Sequence, residues 1–423
     1  MEKSKLTSIS VEEARDIILD SVKLTTPETI PVYESSTRVC AEDITSKIDV
    51  IPFNNAAMDG FAVKRETLKD ASEDNKIVCD VVDEVPAGGY FYGDIEDNQV
   101  VRIMTGACVP DACDAVVKYE AVDYLGGDGK AGSKVAFSEC PGSLDNIRQK
   151  GEEAKIGDTI VCKGEKITPG GVGFIANCGI NNVSVYSRPK VGIISIGSEL
   201  QKCSEELRQG CIYESNSVTI SSLVMAAGGI AQPLGIVEDD FEVLCKTLKE
   251  NAGKFDFLIT TGGASNGDFD FIKQAIGELG DLKFTLVNMR PGKCQTFGLI
   301  DGTPVMGLPG NPSAAYCGFE MLIRPALLAM QGNTCLTKPT LKAKLVGDRK
   351  KRDKRRMYLR GVLSVDGGEY LFTPAKNQSS GIIGPVQQSN AFGILPEGDC
   401  GGKFEDGTII ECIPFGVTEG AVI

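Results

Sequence analysis

An alternation of apolar runs with helix-like segments between residues 190 and 330 constrains the fold more than any other feature of this sequence. Residues 191–196 and 255–260 are apolar runs with the length of buried strands. The predicted helices, which have apolar residues at helical spacing, cover residues 218–227, 241–250, 269–279 and 311–330. Strands that alternate with helices predict a parallel sheet with helices on both faces. We therefore expect a doubly wound α/β domain over residues 188–330.

Polar segments rich in glycine follow the predicted strands of this domain. They comprise residues 197–199, 238–240, 261–268 and 308–312. Ligands of open α/β sheets bind beyond the carboxyl ends of the strands. There, glycine lets the backbone approach a ligand, and the first N–H groups of a helix favour phosphate. The pattern therefore predicts a site for a nucleotide or a pyrophosphate at this edge of the sheet.

Four carboxylates lie in or beside these segments, namely those of Glu199, Asp239, Asp268 and Asp270. Carboxylate oxygens are the ligands that Mg²⁺ prefers, and a Mg²⁺ ion held there would bridge phosphate oxygens. Each residue also has a simpler interpretation. Asp239 caps a helix, Asp268 and Asp270 favour the next helix through its dipole, and each glycine pair forms a plain turn. Their coincidence at one predicted edge favours a site.

The rest of the sequence divides into regions of mixed or β character. From residue 51 to 140, short β-branched runs alternate with turn clusters, which predicts a small β module. Residues 1–50 and 141–187 have mixed character, so we expect the module to be inserted into a discontinuous N-terminal domain. Residues 331–423 are again rich in short extended runs and predict a separate C-terminal β domain.

The chain contains no histidine. This absence excludes Ser-His-Asp and Cys-His catalysis and every metal site with a histidine ligand. Proton transfer must therefore use carboxylates, Lys, Tyr, Cys or water, and a metal must be held by oxygen or thiolate ligands.

Charge and cysteine content limit the partners and the compartment. A net charge of −14 argues against nucleic acid, and no apolar run is long enough to cross a membrane. The 15 cysteines lack a CxxC pair, which favours reduced thiols and a cytoplasmic location. Cys40, Cys178 and Cys317 are predicted core residues. Residues 349–356 hold seven basic residues in eight, and we expect a solvated hairpin with some side chains facing a cleft.

Six sets of segments carry a resemblance to a known family. They are residues 51–63, 102–107 with Pro110 and 114–117, 146–148 with 151–152, 261–265 with Gly267 and Asp270, 291–293, and 308–312. In order, spacing and chain length they resemble the signatures of the molybdopterin molybdenumtransferases, the MoeA type that recurs as the E domain of gephyrin. The resemblance covers nearly the whole chain. It implies a barrel-like C-terminal domain and an elongated homodimer, with a cleft between the last two domains of one chain and the β module of the other.

The resemblance also implies the reaction and the residues that carry it. Adenylated molybdopterin and molybdate are the implied substrates, Mg²⁺ supports hydrolysis of the adenylate, and AMP and the molybdenum cofactor are released. The implied catalytic residues are Asp59, Thr105, Glu199, Asp239, Asp270 and Lys293. The implied magnesium ligands among them are Glu199, Asp239 and Asp270. The implied substrate-binding residues are Arg148, Gly262, Gly263, Ser265, Arg290, Pro309, Gly310, Asn311, Arg360 and Ser380.

Two other functions stay open from the sequence. An adenylyltransferase that prepares the substrate shares the α/β domain, but it carries a Thr-Gly-Gly-Thr-Gly loop where this chain has Ala264 and Ser265. Such an enzyme is also a candidate partner. A gephyrin-like scaffold would bind a receptor peptide, but no fused partner domain or long linker is visible. Arg290 and Cys294 stand where the family commonly has Lys and Pro, which leaves the choice between molybdate and tungstate open.

Overall fold

The computed structural model describes residues 8–263, 271–351, 353–398 and 400–416 of the chain. Within these residues, three six-stranded sheets form the main bodies of the fold. One sheet is the centre of an α/β domain, one forms a β module, and one closes into a barrel near the C-terminus. The predicted fold class is therefore confirmed.

The central sheet is mixed. Across the sheet its strands are Ile230–Val237, Lys190–Ile196, Phe257–Thr261, Thr303–Leu308, Cys294–Ile300 and Gly280–Leu286. The first four are parallel, and the last two run antiparallel to their neighbours. The expectation of a parallel sheet therefore holds for four strands only, because a hairpin that the sequence pattern did not reveal adds two antiparallel strands at one edge.

Helices cover both faces of this sheet. They are Asn216–Ala226, Phe241–Asn251, Phe271–Leu279, Pro312–Gly318 and Arg324–Met330. Ile220 and Leu327 belong to the core on one face, while Leu244 and Ile276 belong to the core on the other face. The predicted arrangement of helices on both faces is thus confirmed.

The long helix predicted over residues 311–330 contains a π-helical turn at Phe319–Ile323. Pro325 has no N–H group, so it cannot donate to the carbonyl oxygen of Met321 one turn earlier. That carbonyl accepts a hydrogen bond from Nε of Arg15 at 3.2 Å instead. The proline therefore accounts for the local departure from α-helical geometry.

The first helix, Val11–Ser21, begins at Ser10, whose Oγ accepts a hydrogen bond from the backbone N–H of Glu13 at 3.1 Å. Its apolar face, with Ala14 and Ile18 fully buried, packs into the core of the α/β domain. This helix of the predicted N-terminal unit therefore packs against the α/β domain.

Segments from both sides of the β module form the mixed N-terminal unit. Its elements are strands Pro27–Pro31, Ile44–Thr45, Thr159–Val161 and Asn182–Tyr186, the 3₁₀ turn Val32–Glu34 and the helix Pro169–Asn177. Two antiparallel pairings join the halves, since Pro27–Pro31 pairs with Asn182–Tyr186 and Ile44–Thr45 with Thr159–Val161. Cys40 and Cys178 are buried in its core, as predicted, and Cys317 is buried in the α/β domain.

The β module is a six-stranded sheet with an apolar core on each face. Across the sheet its strands are Ala115–Lys118, Gly60–Val63, Gln99–Ile103, Ile77–Val85, Lys134–Phe137 and Val122–Gly126. The short turns Arg65–Leu68 and Tyr119–Ala121 connect them. A further pair, Asn55–Ala56 with Ile147–Arg148, adds Ile147 to the module's core.

Five strands close the C-terminal barrel. In order around it they are Arg356–Asp366, Glu369–Pro374, Leu341–Leu345, Ile409–Pro414 and Ala391–Leu395, and the last pairs back with the first. The short helix Gly384–Gln387 precedes the strand Ala391–Leu395. The two-residue strand Met289–Arg290 of the α/β domain pairs in parallel with Arg356 and Met357, which fastens the barrel to that domain.

The described residues of the basic run 349–356 do not form the solvated hairpin that we expected, although Arg355 faces a cleft, as predicted. Arg349–Lys350 pairs with Lys403–Phe404, and Lys351 is fully buried with its Nζ donating to the carbonyl oxygen of Pro396. Arg355 is bound to Asp353. Long side chains can bury their methylene groups when the charged end finds a partner. The run therefore serves largely to hold the barrel, and Arg352 lies outside the described residues.

Candidate active site

A cleft of about 470 Å³ lies beyond the carboxyl ends of the four neighbouring parallel strands of the central sheet. The strand Lys190–Ile196 lies between Ile230–Val237 and Phe257–Thr261, so the chain order reverses at this point. Open α/β sheets bind their ligands at such a switch point. We call this the glycine cleft, and the predicted residues that line it are Glu199, Asp239, Gly262, Gly263, Pro309, Gly310 and Asn311.

Glycine is required where the loops of this cleft meet. Gly262 has φ +86°, and a Cβ added there would lie 2.2 Å from the carbonyl oxygen of Ile196. Its N–H donates to the carbonyl oxygen of Leu308 at 3.1 Å, and Nδ2 of Asn216 donates to the carbonyl oxygen of Gly310 at 2.8 Å. The floor of the cleft is therefore a fixed backbone surface that a phosphate can approach closely.

Two of the predicted acids lie in the glycine cleft. Oδ2 of Asp239 accepts a hydrogen bond from the N–H of Ser198 at 3.1 Å, while Asp240 caps the following helix through the N–H of Val243. Asp239 therefore ties two loops of the cleft together and is not the helix cap. Glu199 is exposed beside it.

The donor chemistry of the glycine cleft fits Mg²⁺, which binds proteins through one or two carboxylates and completes its shell with water or phosphate oxygens. Across the described parts of the chain, no group of three or more His, Cys, Asp or Glu residues is arranged to hold a metal ion. Glu199 and Asp239 are the predicted ligands that line the cleft. Ser265, Asp268 and Asp270 lie outside the described residues.

Five consecutive residues of the cleft lining were not predicted. They are Ile212, Tyr213, Glu214, Ser215 and Asn216. The carboxylate of Glu214 accepts from both the N–H and the Oγ of Ser217, at 2.7 and 2.5 Å, and so caps the helix that we predicted to begin at residue 218. Polar residues directly before an apolar helix are a start signal, and this signal identifies the segment.

A second cleft of about 470 Å³ lies where the loop after Met289 meets the barrel. We call it the arginine cleft, and its polar lining is Arg290, Arg355, Arg360, Gln378, Ser379 and Ser380. The structure thus brings together the predicted residues Arg290, Arg360 and Ser380. Arg290 forms an ion pair with Asp353 at 3.2 Å, and Arg355 bonds the same carboxylate, which holds the pKa of Asp353 well below its usual range.

Arg360 is the central group of the arginine cleft. It is 1 % exposed, and its guanidinium donates to the carbonyl oxygen of Ser379 at 3.0 Å, while its Nε has no hydrogen-bond partner. Burial lowers the pKa of Arg360, but an arginine keeps its proton in proteins. A buried cation with an unsatisfied donor favours an anionic ligand.

The remaining predicted residues lie outside the lining of both clefts. Lys293 follows Gly292 and is half-buried. Asp59 and Thr105 are bonded to each other on the exposed rim of the β module, since Oδ1 of Asp59 accepts from the Oγ1 and the N–H of Thr105, both at 2.7 Å. These two bonds lower the pKa of Asp59. Arg148 is exposed on the strand that pairs with Asn55–Ala56.

A doubly wound domain with a glycine cleft at its switch point, an inserted β module and a closed barrel define a class of multidomain α/β proteins. Three family models match the chain in turn. The MoeA N-terminal region, domains I and II, matches residues 9–179; a probable molybdopterin-binding domain matches 192–329; and the MoeA C-terminal region, domain IV, matches 342–415.

The chain belongs to the MoeA family. It is 34% identical over 410 residues to the molybdopterin molybdenumtransferase of Bacillus subtilis, covering 97% of this chain and 94% of that one. It is 33% identical over 414 residues to the enzyme of the same name from Staphylococcus epidermidis, covering 98% and 97%. The crystal structure of the molybdopterin biosynthesis MoeA protein from Pyrococcus horikoshii superposes with a TM-score of 0.82 at 28% identity, covering 97% of this chain and all of that one. In the described residues, no helix has the length and hydropathy needed to span a membrane.

Proposed function

We propose that this chain inserts molybdenum from molybdate into adenylated molybdopterin, with hydrolysis of the adenylate and release of AMP. Membership of the MoeA family supports molybdopterin as the substrate class. The observation that carries the proposal is the adjacency of two clefts of different chemistry. The glycine cleft suits a phosphoanhydride, the arginine cleft suits an oxyanion, and the same short segment, residues 378–382, contributes lining to both.

In the glycine cleft, the adenylate lies against the backbone of Gly262 and Gly263. Glu199 and Asp239 would hold Mg²⁺ there, with Asp270 as the third predicted ligand. When bound, Mg²⁺ neutralises charge on the phosphoanhydride. Asn216 and Asp239 keep the loops of the cleft in register through their bonds to Gly310 and Ser198, so the phosphates meet a preorganised surface.

In the arginine cleft, the oxyanion accepts a hydrogen bond from the Nε–H of Arg360, which has no partner among the described residues of the protein. Arg290 and Arg355 add positive charge to the same cleft. Hydrogen bonds between ions are stronger than neutral ones, and a guanidinium presents planar donors that match an oxyanion. Ser380 belongs to the same lining. Lys293, on the loop that leads away from the arginine cleft, is proposed to neutralise the phosphate or the molybdate.

The chemistry requires no imidazole. A water oxygen or a molybdate oxygen attacks phosphorus, the phosphoanhydride P–O bond breaks, and AMP leaves. The sulfur ligands of the metal come with the pterin, so none of the protein's thiols is needed. Burial raises the pKa of Cys317, which lies beside the arginine cleft, and this keeps its thiol protonated.

The assembly of the active enzyme is part of the proposal. We propose a homodimer in which the exposed Asp59–Thr105 pair of one β module faces the clefts of the other chain. We also propose the domain boundaries 1–50 with 141–187, 51–140, 188–330 and 331–423, a cytoplasmic location, and transient docking of the adenylyltransferase that makes the substrate.

Turnover with a defined substrate tests the function. Purified protein is incubated with adenylated molybdopterin and Mg²⁺, with molybdate or tungstate, and AMP is followed. We expect AMP release that depends on the oxyanion. Arg360→Met should raise the oxyanion KM about tenfold or more, because a charge-assisted hydrogen bond contributes roughly 1.5–3 kcal/mol.

Arg188→Met is the matched control. Arg188 is exposed and precedes the amino end of the strand Lys190–Ile196, at the opposite edge of the sheet from the glycine cleft. We expect this variant to behave as the wild type. Consumption of ATP in place of AMP release would indicate an adenylyltransferase, and oxyanion-independent AMP release would contradict the assignment of the arginine cleft.

A further inference from the structure

One short segment separates the two clefts. Residues 378–382, which we call the partition segment, connect the barrel strand Glu369–Pro374 to the short helix Gly384–Gln387. Gly381 lines the glycine cleft, whereas Ser379 and Ser380 line the arginine cleft. Any displacement of this segment therefore changes the shape of both clefts at once.

The barrel holds one end of the partition segment through the central residue of the arginine cleft. The guanidinium of Arg360 donates to the carbonyl oxygen of Ser379 at 3.0 Å. The side chain of Gln378 accepts from the N–H of Arg360 at 3.1 Å and donates to its carbonyl oxygen at 2.7 Å. A ligand that binds Arg360 therefore acts on a group that already holds this segment.

In the part of the chain that the structure describes, Ser313 of the α/β domain makes the hydrogen bonds to the other end. Ser313 is fully buried; its N–H donates to the carbonyl oxygen of Ser380 at 3.0 Å, and its Oγ donates to the carbonyl oxygen of Ile382 at 2.5 Å. Ser313 lies at the start of the helix Pro312–Gly318, directly after the cleft residues Asn311 and Pro312. Ser313 thus connects the two clefts by hydrogen bonds across the domain boundary.

We propose that Ser313 is a positioning residue that fastens the partition segment, so that an anion in the arginine cleft strengthens the binding of a nucleotide in the glycine cleft. This inference rests on the proposed function for the identity of the two ligands. A bound anion restrains the guanidinium of Arg360, which holds the carbonyl group of Ser379. Ser313 bonds the same segment and so transmits the restraint to the loop that ends at Asn311. By reciprocity the nucleotide strengthens binding of the anion by the same factor.

Calorimetric titration of AMP, with and without saturating molybdate and with Mg²⁺ throughout, measures this linkage in the full-length protein. We expect molybdate to tighten AMP binding of the wild type about fivefold or more, which is within the usual range of coupling between sites. In Ser313→Ala the carbonyl of Ile382 loses its donor, and we expect the effect of molybdate to fall below about twofold.

Ser389→Ala is the control, because it removes the same kind of hydrogen bond at a position outside both clefts. Oγ of Ser389 also donates to a backbone carbonyl, that of Pro385, at 2.5 Å, but Ser389 lines neither the glycine cleft nor the arginine cleft. Ser389→Ala should therefore keep the full linkage. This separates loss of coupling from a general effect of removing a hydrogen-bonded serine hydroxyl.

Two results would overturn the inference alone: a wild type that binds both ligands without linkage, or a Ser313→Ala protein that keeps the wild-type linkage. If Ser313→Ala does not fold, Gln378→Met releases the segment from the barrel side and is expected to abolish the same linkage; retained linkage there contradicts the inference as well. A wild type that binds neither ligand would contradict the proposed function and, with it, the inference.

Discussion

Replacing Gly262 by alanine tests whether the glycine cleft depends on a backbone that only glycine adopts. Gly262 has φ +86°, and an added Cβ would lie 2.2 Å from the carbonyl oxygen of Ile196 in the neighbouring strand. A normal van der Waals separation is about 3.5 Å, so loop and strand would have to part by roughly 1.3 Å. The left-handed φ costs about 1–2 kcal/mol and the overpacking about 1–3 kcal/mol, so we expect the free energy of unfolding to fall by roughly 2–5 kcal/mol.

Gly253→Ala is the matched control for this substitution. Gly253 has φ +77°, but nothing lies within 4 Å of an added Cβ, so only the conformational cost of about 1–2 kcal/mol applies. Urea unfolding of the two variants and the wild type isolates the effect of the close contact, and AMP release reports on the cleft. If Gly262→Ala is no less stable than Gly253→Ala and turns over at the wild-type rate, the inferred close approach of loop and strand is wrong.

Two further predictions concern charged groups. Because Thr105 lowers the pKa of Asp59, the pair stabilises the folded rim at neutral pH and loses this effect as the pH falls below about 4. In an NMR titration Asp59 should protonate at a lower pH than an ordinary aspartate, and Thr105→Val should raise its midpoint; an unchanged midpoint contradicts this. Nζ of Lys338 lies 2.8 Å from Oε2 of Glu320, whose side chain is only 5 % exposed. Lys338→Met should therefore lower the free energy of unfolding by about 2–4 kcal/mol. Lys246→Met, at the exposed pair with Glu250, should cost at most about 1 kcal/mol, and equal losses would refute the distinction.

Sequence patterns predict best those strands that are buried on both faces of the sheet. The apolar runs 191–196 and 255–260 correspond to the strands Lys190–Ile196 and Phe257–Thr261, whose interiors are fully buried. The edge strand Gly280–Leu286 was missed because its outer residues, including Asp281, face solvent and interrupt the apolar pattern. Burial supplies the signal that sequence patterns report, so elements with little burial escape them.

Contacts between segments that are distant along the chain are the second feature that the sequence patterns do not predict. The glycine cleft was predictable because parallel strands bring their carboxyl ends to one edge. The arginine cleft was found through family motifs, but its connection to the first cleft was not, since Ser313 and Ile382 are 69 positions apart and meet only when the barrel docks. The burial of Lys351 has the same origin, because the carbonyl that it bonds belongs to Pro396.

The strand Met289–Arg290 belongs to the α/β domain in sequence but is hydrogen-bonded alongside the barrel strand that carries Arg360. If the barrel tilts as a rigid body, Arg290 must travel with Arg355 and Arg360. The arginine cleft then keeps its own dimensions while its distance from the glycine cleft changes. Under the proposed function, the distance between the two reactants would thus depend on the position of the barrel on the central sheet, without movement of single side chains.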